Sequence, residues 1–438
     1  MSPRRWFAFL VVFALVVAAE AAGATSALRD DPTPATPPKL AERDARAATL
    51  AYRYLSQEAI KVVDRKALLD GAWNYARVST RLTDDATERS TATSANDAIR
   101  ADLEYLVEHN KSRLSSRLVV EAYVTGMANA ADDPHTSYIP SNVLRTIRGA
   151  ETEASDQLYF GFSAVEEGDN QRVWDVVPGS PAARAGLKAG DLILTTETAS
   201  PGKDSPETNR DLSQALTVKR DGRTFRLIIR PEFASVPVAV TRSLGDDIDY
   251  LRVYSFNVGE TDFREGLDPV WDQLQGSRLV LDLRGNPGGA ITNLAELAGK
   301  LGYRGAFLTM VNRDGSRRRV DPQRSATFAY RPEEIAVLVD SSTFSAGEIL
   351  ASILQQAGST VLGTQTKGYA HGALVVAVGD GALQIGLYRN LAGIEMRDIE
   401  GTGVTPDEAV PLDYQRIKKG DDSVIARAIE LLSGSGGR

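Results

Sequence analysis

Apolar residues change their spacing several times along the chain, and the changes divide it into units. Between residues 41 and 130 the spacing is helical, over Ala41–Leu55, a stretch around Val62–Val78, and Ser94–His109. Arg172–Val177 alternates as a half-buried strand does, a helix is predicted from Leu212, and Phe225–Ile229 reads as a further strand. Beyond residue 236 the two periods interleave. Strand patterns at Tyr250–Tyr254, Arg278–Leu283, Ile335–Val339 and Thr360–Leu362 alternate with helical ones at Asp262–Leu274, Ala290–Leu301 and Ala346–Gln355. Such alternation implies an α/β domain with a largely parallel sheet. Leu374–Val378 and Ala382–Tyr388 flank Gly379-Asp380-Gly381, a hairpin signal, and Asp422–Leu432 returns to helical spacing.

At the N-terminus, Arg4 and Arg5 precede the apolar run Trp6–Ala19, followed by small residues. The run is shorter than the roughly 20 residues a bilayer-spanning helix needs, so it reads as a cleaved export signal. The predicted organisation is a signal peptide (1–24), a Pro/Thr/Asp-rich linker (25–40), a helical region (41–150), a compact unit (158–233), an α/β core (236–415) and a helical tail (416–438). An exported, periplasmic, soluble protein is expected, with membrane contact only through an uncleaved signal.

Composition narrows the chemistry. The 438 residues suffice for about two or three domains. A formal charge of −8 without a long basic run argues against nucleic acid as a partner. Cysteine is absent, which excludes disulfides, thiol nucleophiles and thiolate metal sites. The three histidines, His109, His135 and His371, form no close pair of the zinc-motif kind. His109 ends a helical pattern and is expected to be solvated there.

Three segments carry candidate chemistry, and in a parallel α/β sheet they would converge at the C-terminal strand ends. Leu281-Asp282-Leu283-Arg284-Gly285-Asn286-Pro287-Gly288-Gly289 runs from a strand into a glycine loop, where the N–H groups of Gly288 and Gly289 can form an oxyanion hole. In Ser341-Ser342-Thr343-Phe344-Ser345, Ser345 stands at a strand–turn–helix junction, where a nucleophile can be presented beside a helix N-terminus. Ser345 with Glu348 equally fits a helix-capping box. The third segment, Thr364-Gln365-Thr366-Lys367-Gly368-Tyr369-Ala370-His371-Gly372, offers a lysine that could act as a base if shielded from water. Earlier, Asp132-Asp133-Pro134-His135-Thr136-Ser137-Tyr138 reads as a Pro-initiated turn with a histidine beside hydroxyls.

Two resemblances join these segments. Tyr159-Phe160-Gly161-Phe162 followed by GSPAARAGLKAGDLIL resembles a circularly permuted PDZ domain of mixed α+β structure. The resemblance implies that backbone N–H groups at Tyr159, Phe160, Gly161 and Phe162 hold a peptide's C-terminal carboxylate. DPHTSY, the inserted PDZ, LVLDLRGNPGG, the FSAGE turn and GTQTKGYAHG together resemble the carboxyl-terminal processing (tail-specific) peptidases of family S41, from about Ala41 to Leu412. That implies an α/β, crotonase-like or ClpP-like protease core, Ser345 as nucleophile, and oxyanion donors at Gly288, Gly289 and Ala346. No metal or organic cofactor is implied. The implied partners are protein or peptide substrates with free C-termini, and the helical region suggests homo-oligomerisation or docking on an adaptor.

The general base departs from the family pattern. An ungapped match puts Tyr369 where the family lysine stands. Lys367 lies two residues earlier, a two-residue gap would substitute His371, and relatives similar to the tricorn core peptidases take a histidine before the PDZ, here His135. The family glutamine is replaced by Ala373 or Val375. These departures keep a second reading open, a catalytically inactive S41-like adaptor that binds tails.

Overall fold

The computed structural model describes residues 39–82, 94–110, 112, 114–144, 156–177, 179–198, 213–235, 237–322 and 330–434. The predicted signal peptide and nearly all of the predicted linker lie outside them. Among the described residues no helix is long and apolar enough to cross a membrane.

The helical region comprises α1 (Glu42–Arg53), α2 (Arg65–Ser79), α3 (Ala95–Glu108) and α4 (Ser116–Ala130). Each of the last three starts where the sequence supplies a cap. Asp64, Ser94 and Ser115 accept from the N–H groups of Lys66, Asp97 and Leu118. Helix α4 is buried along most of its length, and the other three pack around it. Gly71 and Gly126 allow α2 and α4 to touch, because a Cβ on Gly126 would lie 2.4 Å from the Gly71 carbonyl. From α4 the chain runs through the Asp133–Thr136 turn into the short strand β1 (Ser137–Ile139).

The inserted unit holds β2 (Asp156–Tyr159), β3 (Phe162–Glu167), β4 (Asn170–Val176), α5 (Pro181–Arg184), β5 (Leu192–Thr198), β6 (Gln214–Arg220), β7 (Arg223–Ile229) and β8 (Glu232–Ser235). Strands β3 to β7 form an antiparallel sheet in sequence order, and β2 pairs with β8. The predicted helix begins at Leu212, which lies outside the described residues; where it would continue, Gln214–Arg220 form β6 instead. Leu212, Ala215, Leu216 and Lys219 imitate helical spacing, but Asp221 and Gly222 both adopt positive φ and close a two-residue hairpin, with Arg220 opposite Arg223. The Asp-Gly pair was the overriding signal.

The core follows, with β9 (Ala239–Gly245), β10 (Ile248–Val253), α6 (Glu260–Trp271), β11 (Arg278–Asp282), α7 (Ile291–Lys300), β12 (Leu308–Asn312), β13 (Arg317–Val320), β14 (Glu334–Val339), α8 (Ala346–Gln356), β15 (Thr360–Gly363), β16 (Gly372–Val378), β17 (Gly381–Ala392), β18 (Arg397–Asp398), β19 (Glu408–Ala409), α9 (Tyr414–Ile417) and α10 (Ser423–Gly434). One sheet has the order β19-β15-β14-β11-β10-β9 and is parallel except at β9. Its inner strands β10, β11, β14 and β15 are buried over most of their length on both faces, as such sheets require, while the edge strands β9 and β19 are largely exposed. Leu279, Leu281, Val337 and Val361 join the cluster containing α6, α7 and α8, while Val280, Ala336, Leu338 and Leu362 meet Val424, Ile425, Ala428 and Leu432 of α10.

A second sheet, antiparallel, has the order β1-β17-β12-β13, with β16 and β18 also on β17. The long strand β17 joins the two halves of the molecule. Leu383 and Ile385 enter the helical cluster, and Ala392 enters the core cluster. Because β1 pairs with β17, Ser137 opposite Gln384, the turn carrying His135 is brought against the α/β core.

Candidate active site

Strands β11, β14 and β15 are adjacent and parallel, with Asp282 opposite Leu338 and Val339 opposite Gly363. The three segments singled out in the sequence therefore leave the sheet side by side.

The first is held by charge. Asp282 is fully buried and receives Arg284 Nε at 2.9 Å and Nη2 at 2.6 Å, with Tyr250 OH at 2.8 Å. Burial alone would raise its carboxyl, but Arg284 and Arg252 outweigh that and hold it below the usual carboxylate range. Arg284 also bonds Asp422 at the start of α10. The glycine loop beyond is pressed against the serine turn. A Cβ on Gly288 would lie 2.7 Å from Ser345 Cβ and 2.8 Å from Ala346 N. The two glycines differ as donors. Gly288 N–H is given to Asn286 Oδ1 at 2.8 Å, contrary to the expectation that it faces an oxyanion. Gly289 bridges Phe256 through its neighbours' groups, Phe256 N to Gly288 O and Ala290 N to Phe256 O, which leaves its own N–H outside that pairing.

The second is the serine turn. Asp340 at the end of β14 accepts from Gly285 N at 3.1 Å and Ser342 N at 2.9 Å, tying the first two loops together. Ser345 then adopts φ 49°, ψ −117°. Ordinary caps have extended dihedrals, and the chain's own serine caps obey this: Ser94 (φ −111°, ψ 148°), Ser115 (φ −64°, ψ 158°) and Ser180 (φ −69°, ψ 164°). Ser345 alone among these four serines is left-handed. A cap does not need that conformation, which costs about 1–3 kcal/mol; a sharp turn that presents a nucleophile does. Ala346, the first residue of α8, is completely buried, and its N–H has no partner inside the helix.

Glu348 connects the second segment to the third. Its Oε2 accepts from Ser345 N at 3.1 Å and Tyr369 N at 2.9 Å, and its Oε1 from Thr366 Oγ1 at 2.5 Å and Gly368 N at 2.6 Å. Burial raises its carboxyl, and these four donors offset part of that. The capping-box glutamate thus fixes the third segment beside Ser345. Lys367 lies half-buried between Thr366 and Gly368. The Tyr369 ring stacks on Phe344 at 5.7 Å between centroids, next to the serine.

A second carboxylate grips the same segment from the other side. Glu400 Oε2 accepts from Ala370 N and His371 N, both at 2.8 Å, and the carboxylate meets His135 Nε2 at 3.1 and 3.2 Å. Burial would raise Glu400, but the bond and charge of His135 and the charge of His371 hold it lower. His135 is itself buried, its ring 5.9 Å from the Tyr369 ring and 5.7 Å from that of His371. Gly386 of β17 makes room for it, since a Cβ there would lie 3.2 Å from His135 Cβ. Burial lowers His371, with Glu400 partly opposing. His109 is an exposed helix end stacked on Tyr105.

Sequence reasoning did not find Glu400. Its local cue is faint, an acidic residue opening a turn in which Gly401 and Gly403 take positive φ. The expected carboxylate loop lies between β2 and β3. Gly161 has φ 79°, and its carbonyl accepts from Ser180 Oγ and Val177 N. Among the described residues β3 is an edge strand, and its Ala164 carbonyl accepts Ser342 Oγ of the serine turn at 2.6 Å. Trp174 is overlain by Arg252 and Arg284, each 4.8 Å from the ring centre, so the inserted unit rests on the loops that shape the site.

A serine at a strained strand-to-helix turn and helix N-terminus, with a histidine–carboxylate pair gripping the segment that Glu348 ties to that turn, is the equipment of a serine-type peptidase. Comparison with known proteins gives the same class: residues 247–410 match the model of peptidase family S41 and residues 172–195 that of the PDZ domain. Over residues 247–410 the chain is similar to peptidase family S41. It is 28% identical over 340 residues to the carboxyl-terminal-processing protease of Picosynechococcus, covering 72% of this chain and 79% of that one. It is 27% identical over 327 residues to the carboxy-terminal-processing protease of Bartonella bacilliformis, covering 71% and 74%. The photosystem II D1 C-terminal processing protease shares the fold, with a TM-score of 0.55 at 19% identity over 86% of this chain and 97% of that one.

Proposed function

We propose that the chain is an exported serine endopeptidase that receives protein C-terminal tails at its PDZ unit and cleaves them through an acyl-enzyme on Ser345, with His135 as general base and Glu400 behind it. The observation that carries the choice of base is the His135–Glu400 pair at 3.1 Å, whose carboxylate also holds the backbone of the segment that Glu348 fastens to Ser345. Glu400 fixes the His135 ring and stabilises it once protonated. Ser345 Oγ attacks the peptide carbonyl as its proton passes to His135. Ala346 N–H, with Gly289 N–H, receives the oxyanion; one such donor contributes about 3–4 kcal/mol. His135 returns the proton to the departing amine, and water, deprotonated by His135, releases the acyl group. This chemistry uses no metal or organic cofactor.

In the PDZ unit a tail carboxylate would meet the N–H groups of the 159–162 loop while the tail added along the edge of β3. The inactive-adaptor reading is favoured by one observation, the engagement of Gly288 N–H with Asn286. Incubation of purified protein with an unfolded substrate bearing a free apolar C-terminus separates the two. Cleavage that is lost in Ser345→Ala supports the peptidase; tail binding without cleavage establishes the adaptor.

A further inference from the structure

Three side chains from distant parts of the chain bring their ligand atoms within 4.8 Å of one another: His135 from the turn before β1, His371 from the segment before β16, and Glu400 from the turn after β18. The catalytic reading uses His135 and Glu400 and gives His371 no task. Yet His371 is held firmly, through its backbone N–H on Glu400. Its Nδ1 lies 4.0 Å from Glu400 Oε2 and its Nε2 3.9 Å from Asp398 Oδ1. These separations exceed hydrogen bonds, and Nε2 is buried without a hydrogen-bond partner. A buried polar atom left this way asks for an explanation.

Two imidazoles and one carboxylate are the donor set of many zinc centres that keep an open fourth position. With zinc–ligand bonds of about 2.0–2.1 Å in a tetrahedron, ligand atoms sit about 3.3 Å apart. The His135–Glu400 contact, at 3.1 Å, already meets that spacing. The His371–Glu400 contact, at 4.0 Å, reaches it by a small rotation of the imidazole. Asp398 Oδ1, 3.9 Å from Nε2, is the nearby carboxylate that the same rotation would have to bring within hydrogen-bond reach to orient the ring through its other nitrogen.

We propose that His135, His371 and Glu400 bind a divalent transition-metal ion, with Zn2+ best matched to the donors, and that the bound ion takes His135 out of proton transfer and so switches the peptidase off. The binding half stands on the donor geometry alone; the switching half rests on His135 being the base. Ions that prefer all-oxygen shells, Mg2+ and Ca2+, are not suited to the site.

The experiment titrates chelator-treated full-length protein with Zn2+ calorimetrically and with Co2+ by visible absorption, and repeats both on His371→Ala. One equivalent bound, a tetrahedral Co2+ spectrum, and an affinity at least about tenfold weaker in His371→Ala are expected. No binding, or equal affinity in the variant, overturns the site. In parallel, fluorophosphonate labelling of Ser345 is timed in metal-free protein and after one equivalent of Zn2+. Labelling slowed at least about tenfold and restored by chelator supports the switch; unchanged labelling overturns it. Metal-free protein that does not label at all contradicts the peptidase reading, while the calorimetric result still decides the metal site.

Discussion

At the level of single residues, the most informative position is Ser345, because its backbone conformation separates two roles, helix cap and nucleophile, that its sequence context both allows. The serine–glutamate spacing marks a helix start, and Glu348 does bond Ser345 N–H. The left-handed φ of 49° is what a cap does not explain. Strain kept for function can be released by glycine, which accepts positive φ freely. Ser345→Gly should therefore raise the unfolding free energy by roughly 1 kcal/mol or more while abolishing activity. Equal or lower stability in urea denaturation would contradict strain at this site. Glu400 supplies a pH test. Its carboxyl is held below its ordinary value of 4.5, so below that value the unfolded chain binds the extra proton. The stability it contributes is complete above about pH 4.5 and is lost as pH falls through the lower folded value. The stability difference between wild type and Glu400→Gln should shrink between about pH 5 and pH 3; a difference independent of pH would refute the assignment.

At the level of elements, the parallel strands were legible because each is a short apolar run leading into a glycine or small-polar turn, and β11, β14 and β15 fall where the periodicity puts them. The convergence of their loops at the C-terminal strand ends followed from the α/β pattern, while the strand order is a finding of the structure. The antiparallel sheet was not legible beyond its β16–β17 hairpin. Pairing of β1 with β17 joins residues more than two hundred positions apart, and nothing local to Ser137-Tyr138-Ile139 names its partner. That pairing is what brings the turn carrying His135 to Glu400 and the Tyr369 segment, so the least readable element positions the base proposed above. Gly386 of β17 tests it. Gly386→Val would place bulk against His135 and Asp133, 3.2 and 2.8 Å from the first added carbon. Overpacking of this kind costs about 1–3 kcal/mol. A protein that remains folded by circular dichroism should lose at least about tenfold in cleavage rate; full activity would show that the β1 turn does not serve the site.

At the level of the whole molecule, three units meet around one turn. The helical region delivers His135, the inserted unit lays the edge of β3 on Ser342, and the core contributes the three loops. The Ser342–Ala164 bond lies three residues from Ser345 and uses a carbonyl of the strand to which a bound tail would add. Peptide addition and this bond thus bear on the same strand. A C-terminal peptide should alter the rate of Ser345 labelling in wild type, and Ser342→Ala should reduce that response; an identical response in both would place the coupling elsewhere. The sequence showed the inserted unit through its glycine loop and its GSPAARAGLKAGD run, but not how it would be seated, since the seat is made of Trp174, Arg252 and Arg284, far apart in the chain.

The identity of the base is the central question, and the rate of fluorophosphonate labelling at Ser345 addresses it most directly when compared in metal-free wild type, His135→Ala and Lys367→Ala. Loss of roughly a hundredfold or more in His135→Ala, with Lys367→Ala within a few-fold of wild type, is the outcome required by general-base catalysis from His135. Near-normal labelling in His135→Ala together with loss in Lys367→Ala would contradict it and give the role to the lysine.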